Sequence, residues 1–143
     1  MRSILAIFVV CAAGLAGSAH AFIDFGGAQF FSGLLGMARG QTAHLHVVNA
    51  TQASCQYEME IVSDSGKTLQ AKLVEVGSGQ TATLSFKFTQ RQAPRQLIHA
   101  VVNTVVESCT AGLLGTLEIV DDNTDHTSNF VQLYGVQIKR QSV

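Results

Sequence analysis

Two histidines separated by one residue are the first feature of this sequence that could support chemistry. His44 and His46 lie in Gln41–Val48, where apolar and polar residues alternate. Residues two apart on an extended strand project from the same face, so the two imidazoles would be neighbours. Such a pair can bind Zn²⁺ or Cu²⁺ if a third ligand converges on it. We expect the simpler alternative, two solvent-facing histidines on a polar strand face.

An acidic segment offers the second set of possible ligands. Asp121, Asn123 and Asp125 present side-chain oxygens at alternate positions, as the start of an EF-hand loop does. The match then ends, because His126 occupies the place of the required glycine and Gln132 that of the bidentate glutamate. The pattern favours an Asx-rich turn between two strands, with a Ca²⁺ site at the edge of a sandwich as the alternative.

Residue sets typical of catalysis are missing from the sequence. There is no Gly-x-Ser-x-Gly nucleophile motif. Glu58 and Glu60 would share one strand face, where paired carboxylates usually face solvent. We therefore expect no enzyme, no cofactor and no resident metal, and we keep a metal-binding or hydrolytic protein as a third hypothesis.

The first 21 residues resemble a secretory signal peptide. Arg2 precedes an apolar stretch from Ile4 to Leu15, and Ala19-His20-Ala21 supplies the small-x-small cleavage pattern. We expect cleavage before Phe22 and export to the periplasm or the cell exterior. The stretch is shorter than the roughly 20 apolar residues of a membrane-spanning helix, so we expect no membrane insertion after processing.

Composition restricts the partners of the remaining chain of about 120 residues. Removing Arg2 from the nine Lys and Arg leaves eight against ten Asp and Glu, a formal charge near −2. That balance provides no electrostatic basis for binding nucleic acid.

The two cysteines that remain after cleavage permit one intramolecular pair. Cys11 would leave with the signal peptide, whereas Cys55 and Cys109 stay in the mature chain. In an exported protein such a pair predicts a structural disulfide between Cys55 and Cys109.

Period-two alternation recurs after Gln41 and predicts an all-β fold. We expect seven strands, at Gln41–Val48, Gln56–Val62, Lys67–Val76, Gln80–Phe88, Leu97–Val106, Thr116–Val120 and Phe130–Lys139. Asp64-Ser65-Gly66 and Gly77-Ser78-Gly79 between them are typical turn sequences. Short strands at nearly regular spacing indicate an antiparallel two-sheet sandwich over residues 32–143.

The order of these segments resembles that of a group of small exported bacterial proteins with an immunoglobulin-like β-sandwich. The strand GQTAHLHVVNA at Gly40–Ala50 is followed by a cysteine, SDSGKTL, GSGQTATLSF, QLIHAVV, a second cysteine and TLEIVDDNTDHTS. The resemblance extends from about Ser32 to Ser128 and implies the fold and export. The group has no assigned activity, so the resemblance implies none.

An apolar arm, residues 22–31, lies between the signal peptide and the sandwich. It contains five large apolar residues: Phe22, Ile23, Phe25, Phe30 and Phe31. The arm could fold back on its own sheet as an additional edge strand, or insert into a neighbouring subunit by β-augmentation.

The sequence thus predicts an exported, non-enzymatic β-sandwich module with a structural or binding role. The alternative is a subunit of a surface or extracellular assembly, joined by strand exchange through the arm. The expected partners are a second copy of the chain or another exported protein.

Overall fold

Alternating apolar and polar residues form strands throughout the computed structural model, which describes residues 27–89 and 95–136. Those residues contain ten strands: β1 (Gln29–Phe31), β2 (Leu35–Ala38), β3 (Gln41–Asn49), β4 (Cys55–Ser63), β5 (Thr68–Val76), β6 (Thr81–Lys87), β7 (Arg95–Thr104), β8 (Leu113–Asp121), β9 (Thr127–Gln132) and β10 (Tyr134–Val136). A single 3₁₀ turn, Glu107–Cys109, lies between β7 and β8. The predicted signal peptide and Phe22, Ile23 and Phe25 of the arm lie outside the described residues.

The strands form two antiparallel sheets, which confirms the predicted sandwich. One sheet has the order β10-β1-β7-β4-β5, with β2 also paired to β7, and the other has the order β6-β3-β8-β9. The segment Leu97–Val106 is apolar on both faces, which predicts a central strand. Strand β7 is central, because β4 pairs along one edge while β1 and β2 share the other.

The core lies between the two sheets and is supplied by alternate residues. The inward positions of β3, β4, β7 and β8 are fully buried: Leu45, Val47, Met59, Ile61, Ile98, Val102, Leu117 and Ile119. Alternation over Gln80–Phe88 predicts an inner face of Ala82, Leu84, Phe86 and Phe88. Leu84 in β6 and Phe88 just after it are buried, and Ala82 and Phe86 are partly buried against the core. Polar residues at the intervening positions remain on the outer faces, which is how one face of an antiparallel sheet can contact water.

The observed strands outnumber the seven predicted because two are very short and the predicted last strand is divided. β1 and β2 have three and four residues, too few for an alternating pattern to be recognised, and β10 is the second part of the predicted last strand. Leu34-Leu35 and Leu113-Leu114 were expected to begin strands or bends, and Leu35 and Leu113 are the first residues of β2 and β8.

Strand β5 has the expected apolar face in its first half, where Leu69 packs against the core, but not in its second half. Alternation predicts Leu69, Ala71 and Leu73 as one apolar face, but Leu73 is 58% exposed whereas Val76 is buried. The cause is the register with β4, which places Val74 beside the buried Tyr57. Because β5 is an edge strand, its apolar residues need not all face the core.

The predicted last strand, Phe130–Lys139, is divided between the two sheets. β9 pairs with β8, and the chain then crosses at Leu133 so that β10 pairs with β1. The break therefore lies at Leu133 and not at Gly135, where a bend was expected. Gly135 instead permits close packing, since a Cβ there would lie 2.6 Å from Cε1 of Phe30.

The described part of the apolar arm pairs with its own chain. Phe30 is the Cα partner of Val102 in β7 and of Gly135 in β10. Its ring is buried, whereas Phe31 is half-buried on the outer face. Just before β1, the N–H of Ala28 donates to Oγ1 of Thr104 at 2.9 Å. These contacts anchor residues 28–31 in the six-stranded sheet.

A disulfide joins Cys55 to Cys109, as predicted, with the two Cα atoms 5.7 Å apart. Cys55 is the first residue of β4, and Cys109 lies in the 3₁₀ turn where the chain passes from one sheet to the other. Both cysteines are buried. The bond therefore joins the segment that connects the two sheets to the first residue of β4, an inner strand.

Candidate binding face on the four-stranded sheet

The outer face of the four-stranded sheet collects the polar residues that alternate with the core. Strand register places Thr83, His46, Thr116 and Gln132 in one row across the four strands, and Ser85, His44, Glu118 and Phe130 in the next. We call these eight residues the histidine face. His44 and His46 occupy neighbouring rows of the inner strand β3, as their spacing predicts.

His46 has hydrogen-bonding partners on both neighbouring strands. Its Nε2 lies 3.0 Å from Oε1 of Glu118 on β8, and its Nδ1 lies 2.9 Å from Oγ1 of Thr83 on β6. When Nε2–H donates to the carboxylate, Nδ1 of the neutral ring accepts from the threonine hydroxyl. The side chains of His46 and Glu118 remain 31% and 29% exposed, so the pair is oriented and still accessible to solvent.

His44 is also hydrogen-bonded to a hydroxyl group of the neighbouring strand β6. Its Nδ1 lies 2.7 Å from Oγ of Ser85. The ring centroids of His44 and His46 are 6.0 Å apart and their planes differ by 27°. The two imidazoles therefore form a stacked pair, and each is hydrogen-bonded to a hydroxyl group of β6.

Glu118 is stabilised in its ionised form. The hydrogen bond from His46 lowers the pKa of its carboxyl group below the ordinary value, and burial opposes this effect. A second hydrogen bond contributes in the same direction, since Oγ1 of Thr127 donates to Oε2 of Glu118 at 3.2 Å. The histidine face thus carries a negative charge that hydrogen bonds from His46 on β3 and Thr127 on β9 hold in place.

An ion pair borders the face where β3 begins beside the acidic turn. Nζ of Lys87 lies 2.8 Å from Oδ2 of Asp122, and the hydroxyl of Thr42 donates to Oδ1 of the same carboxylate at 2.6 Å. The hydrogen bond from Lys87, followed by that from Thr42, lowers the pKa of Asp122. These contacts fasten the β8–β9 turn to strands β3 and β6.

The acidic segment forms the expected Asx-rich turn. Oδ1 of Asp121 accepts hydrogen bonds from the backbone N–H groups of Asn123 and Thr124, at 2.9 and 3.1 Å. Asp125 adopts a left-handed conformation with φ of 57° and donates its N–H to the carbonyl of Asp121. The Asp121 carboxylate is therefore occupied by the turn.

The histidines and the acidic turn do not combine into a metal centre. Within residues 27–89 and 95–136, no group of three or more His, Cys, Asp or Glu side chains is arranged to hold a metal ion. Elsewhere, Glu58 accepts a hydrogen bond from Nδ2 of Asn103, and Glu60 accepts one from Oγ1 of Thr68. These two carboxylates lie on the other sheet and are engaged in local contacts.

Several residues of the face could not be identified from the sequence alone. Thr83, Ser85 and Glu118 lie 37 or more positions from the histidine they contact. Alternation identified the outward positions on each strand but not the register that sets them side by side. Phe130, 68% exposed beside Glu118, was expected only as the start of a strand.

Comparison with known proteins supports the architecture only. No protein family and no curated protein matches the chain. Its fold is similar to the crystal structure of Thermotoga maritima 1070, with a TM-score of 0.53 and 12% sequence identity. The similarity covers 76% of this chain and 94% of that chain. At such low identity the likeness shows a shared two-sheet fold alone. Among the described residues, none forms a helix of the length and apolarity that a membrane span requires.

Proposed function

We propose that this protein is an exported, non-enzymatic β-sandwich module that binds a partner through the histidine face. The observation that carries the proposal is the arrangement of His44, His46 and Glu118, which hydrogen bonds hold in fixed positions on an accessible sheet face. Side chains oriented before binding lose less conformational entropy when a partner arrives, and this favours recognition.

Export is supported by the disulfide and by the N-terminal sequence. Disulfides such as Cys55–Cys109 form and persist mainly in oxidising compartments. The pattern at Ala19-His20-Ala21 and the resemblance of Gly40–Ala50 to exported bacterial proteins agree with this location. The mature chain then begins at Phe22.

A hydrolase is the second candidate, because Glu118, His46 and Thr83 form an acid–base–hydroxyl line. Hydrolases of this type also need donors aimed at the developing oxyanion. Backbone N–H groups in a sheet lie in its plane and point towards neighbouring strands, so none projects above this face. The contacts of Glu118 and Thr83 therefore explain how His46 is oriented better than they explain activation of the Thr83 hydroxyl as a nucleophile.

A quantitative pull-down from the native envelope tests the binding proposal. The bait is the purified protein, compared with the double variant His44→Ala/His46→Ala and with Glu60→Gln as a control on the opposite sheet. We expect a partner that the protein and the control retain and the double variant loses. Retention of the same proteins by all three baits, or by none, contradicts the proposal.

Two further measurements test location and catalysis. Intact mass and N-terminal sequencing of secreted material should show a chain beginning at Phe22, and a retained leader or lipid on Cys11 contradicts this.

Hydrolysis of an activated ester should be equal for the protein and Thr83→Ala. A large loss in Thr83→Ala would instead support the hydrolase.

Assembly by strand exchange through residues 22–31 remains a separate hypothesis. The contacts of the described part favour pairing within one chain, because β1 lies between β7 and β10 of its own sheet. We therefore retain the binding module as the conclusion.

A further inference from the structure

Strand β9 is an edge of the four-stranded sheet and pairs with β8 alone among the described residues. Its sequence, Thr-Ser-Asn-Phe-Val-Gln, contains no charge, no proline and no glycine. Five of its six residues are exposed, and only Val131 is half-buried. Natural edge strands usually carry charges, proline or other features that prevent pairing with another chain. β9 has one such feature, an irregular register near its start, between Ile119 and Val120 of the partner strand.

The backbone of β9 presents hydrogen-bonding groups along its free edge. The N–H of Leu133 donates to the carbonyl of Gly115 at 2.9 Å, which directs residue 133 towards β8. Backbone direction alternates along an antiparallel strand. Val131 and Asn129 therefore also face β8, whereas the N–H and C=O groups of Phe130 and Gln132 point away from the sheet.

The other strands at sheet edges are better protected. β5 has Lys72 near its centre, and β6 packs more extensively beside β5 of the facing sheet than β9 packs beside β2. β2 and β10 are only four and three residues long, and the N–H of Ala38 in β2 is bonded to Oε1 of Gln41. The accessible edge that offers most backbone to an added strand is therefore β9.

We propose that β9 binds β9 of a second copy of this chain in antiparallel orientation, producing one continuous eight-stranded sheet across the dimer. A second copy fits because the strand opposes its own sequence without any like-charge contact. Phe130, 68% exposed at the free edge, is covered by uncharged side chains in such a pair. Two-fold pairing of identical surfaces also gives a closed dimer.

The charges nearest to Phe130 on this face do not oppose the contact. Glu118 lies one strand inward and is paired with His46. In the dimer the two copies of Glu118 stand about three strand spacings, roughly 14 Å, apart. This exceeds the Debye length of about 8 Å at physiological ionic strength, so their repulsion is largely screened. The interface is one short strand pair, smaller than the roughly 1,600 Å² of a standard interface, and the dimer is correspondingly weak.

Sedimentation velocity of the purified, disulfide-intact protein from about 1 μM to about 1 mM tests the proposal, a range that spans weak association. We expect a reversible monomer–dimer equilibrium. Phe130→Lys should weaken it by about tenfold or more, because two lysines then approach across the interface. Gln132→Pro should weaken it as well, because proline removes an outward N–H but leaves the β8 pairing intact.

Leu73→Lys is the matched control, since Leu73 is 58% exposed on β5, an edge strand of the other sheet. It should leave the equilibrium unchanged within about twofold, and thermal melts should show all three variants folded. A protein that stays monomeric up to the highest concentration overturns the proposal. So does a dimer that Phe130→Lys leaves intact, or one that Leu73→Lys weakens equally. Phe130 and Gln132 also belong to the histidine face, but these experiments measure self-association alone, whereas the pull-down compares variants of His44 and His46, so the two proposals can fail separately.

Discussion

Asn49 is the residue with the most completely used hydrogen-bonding capacity in the structure. Its Nδ2 donates to the carbonyls of Ala53 and Val76, and its Oδ1 accepts from both the N–H and the hydroxyl of Thr51. It is fully buried. Asn49-Ala50-Thr51 fits a glycosylation motif in the sequence, but in the folded protein this side chain joins the ends of β3 and β5.

Asn49→Asp should destabilise the protein by about 2–3 kcal/mol, because a buried carboxylate would face two carbonyl oxygens. Urea denaturation at neutral pH measures the change. Asn123→Ala, in the exposed acidic turn, is the control and should remain within about 0.5 kcal/mol. Equal stability of the two variants would contradict the role assigned to Asn49.

Glu118 should make folding stability depend on pH in the acid range. Its pKa is lowered in the folded protein, so the ionised carboxylate favours folding. The stabilisation is complete above the unfolded-state pKa, close to the ordinary 4.5, and is lost as the pH falls through the lower folded-state value. Glu118→Gln should therefore show a shallower loss of stability below about pH 4.5 than the unmodified protein.

Denaturation midpoints measured from pH 7 to pH 3 test this expectation. Glu107→Gln, at an exposed position in the 3₁₀ turn, is the matched control and should keep the acid-range slope of the unmodified protein. Identical slopes for the protein and Glu118→Gln would show that the His46–Glu118 contact contributes no measurable stability.

At the scale of elements, short β1 contributes more to the core than its three residues suggest. Phe30 is buried between β7 and β10, against the space that Gly135 leaves open. Phe31, its neighbour, lies on the outer face. The strand thus uses one ring to complete the core and its backbone to bridge two other strands.

Phe30→Ala should lower the free energy of unfolding by about 3–5 kcal/mol, since it opens a cavity that Gly135 cannot fill. Phe130→Ala removes an equal volume from an exposed position, and its effect should stay within about 0.5 kcal/mol. Chemical denaturation at low micromolar concentration, where monomers predominate, compares the two. A small loss for Phe30→Ala would mean that β1 is dispensable.

The elements that the sequence predicts well are those whose pattern is long enough to reveal burial. Alternation in β3 and β6 correctly identified their inner faces, because each strand has three successive alternate residues that are apolar. It could not detect β1 and β2. It also misassigned the second half of β5, where register with β4 decides which face is covered. The pair His44 and His46 was predictable from spacing, but Glu118 became their neighbour only through the pairing of β3 with β8.

At the scale of the whole molecule, the disulfide connects the two sheets through the 3₁₀ turn. The bond joins residues 54 positions apart in sequence. On the chain-entropy account, closing a loop of this length restricts the unfolded chain and stabilises the fold by about 4 kcal/mol. The stability of this small domain therefore depends on an oxidising environment.

Cys55→Ser/Cys109→Ser should lower the free energy of unfolding by about 2–5 kcal/mol and leave the strand content unchanged. Guanidinium denaturation and far-ultraviolet circular dichroism measure both properties. Reduction of the unmodified protein should produce the same loss of stability. If the double variant is as stable as the oxidised protein, the disulfide does not stabilise the fold and the prediction is wrong.

The pairing of β1 with β10 has a topological consequence. Gln29 and Val136 are Cα partners, so the first and last described strands lie side by side. A circular permutant should therefore fold when a flexible linker of about ten residues joins Val136 to Gly27 and the chain is opened at Ser65–Gly66. That turn is exposed and connects β4 to β5. The permutant should form the Cys55–Cys109 bond and unfold in one cooperative transition. That result would mean that the arrangement of strands in space, and not their order along the chain, determines this sandwich.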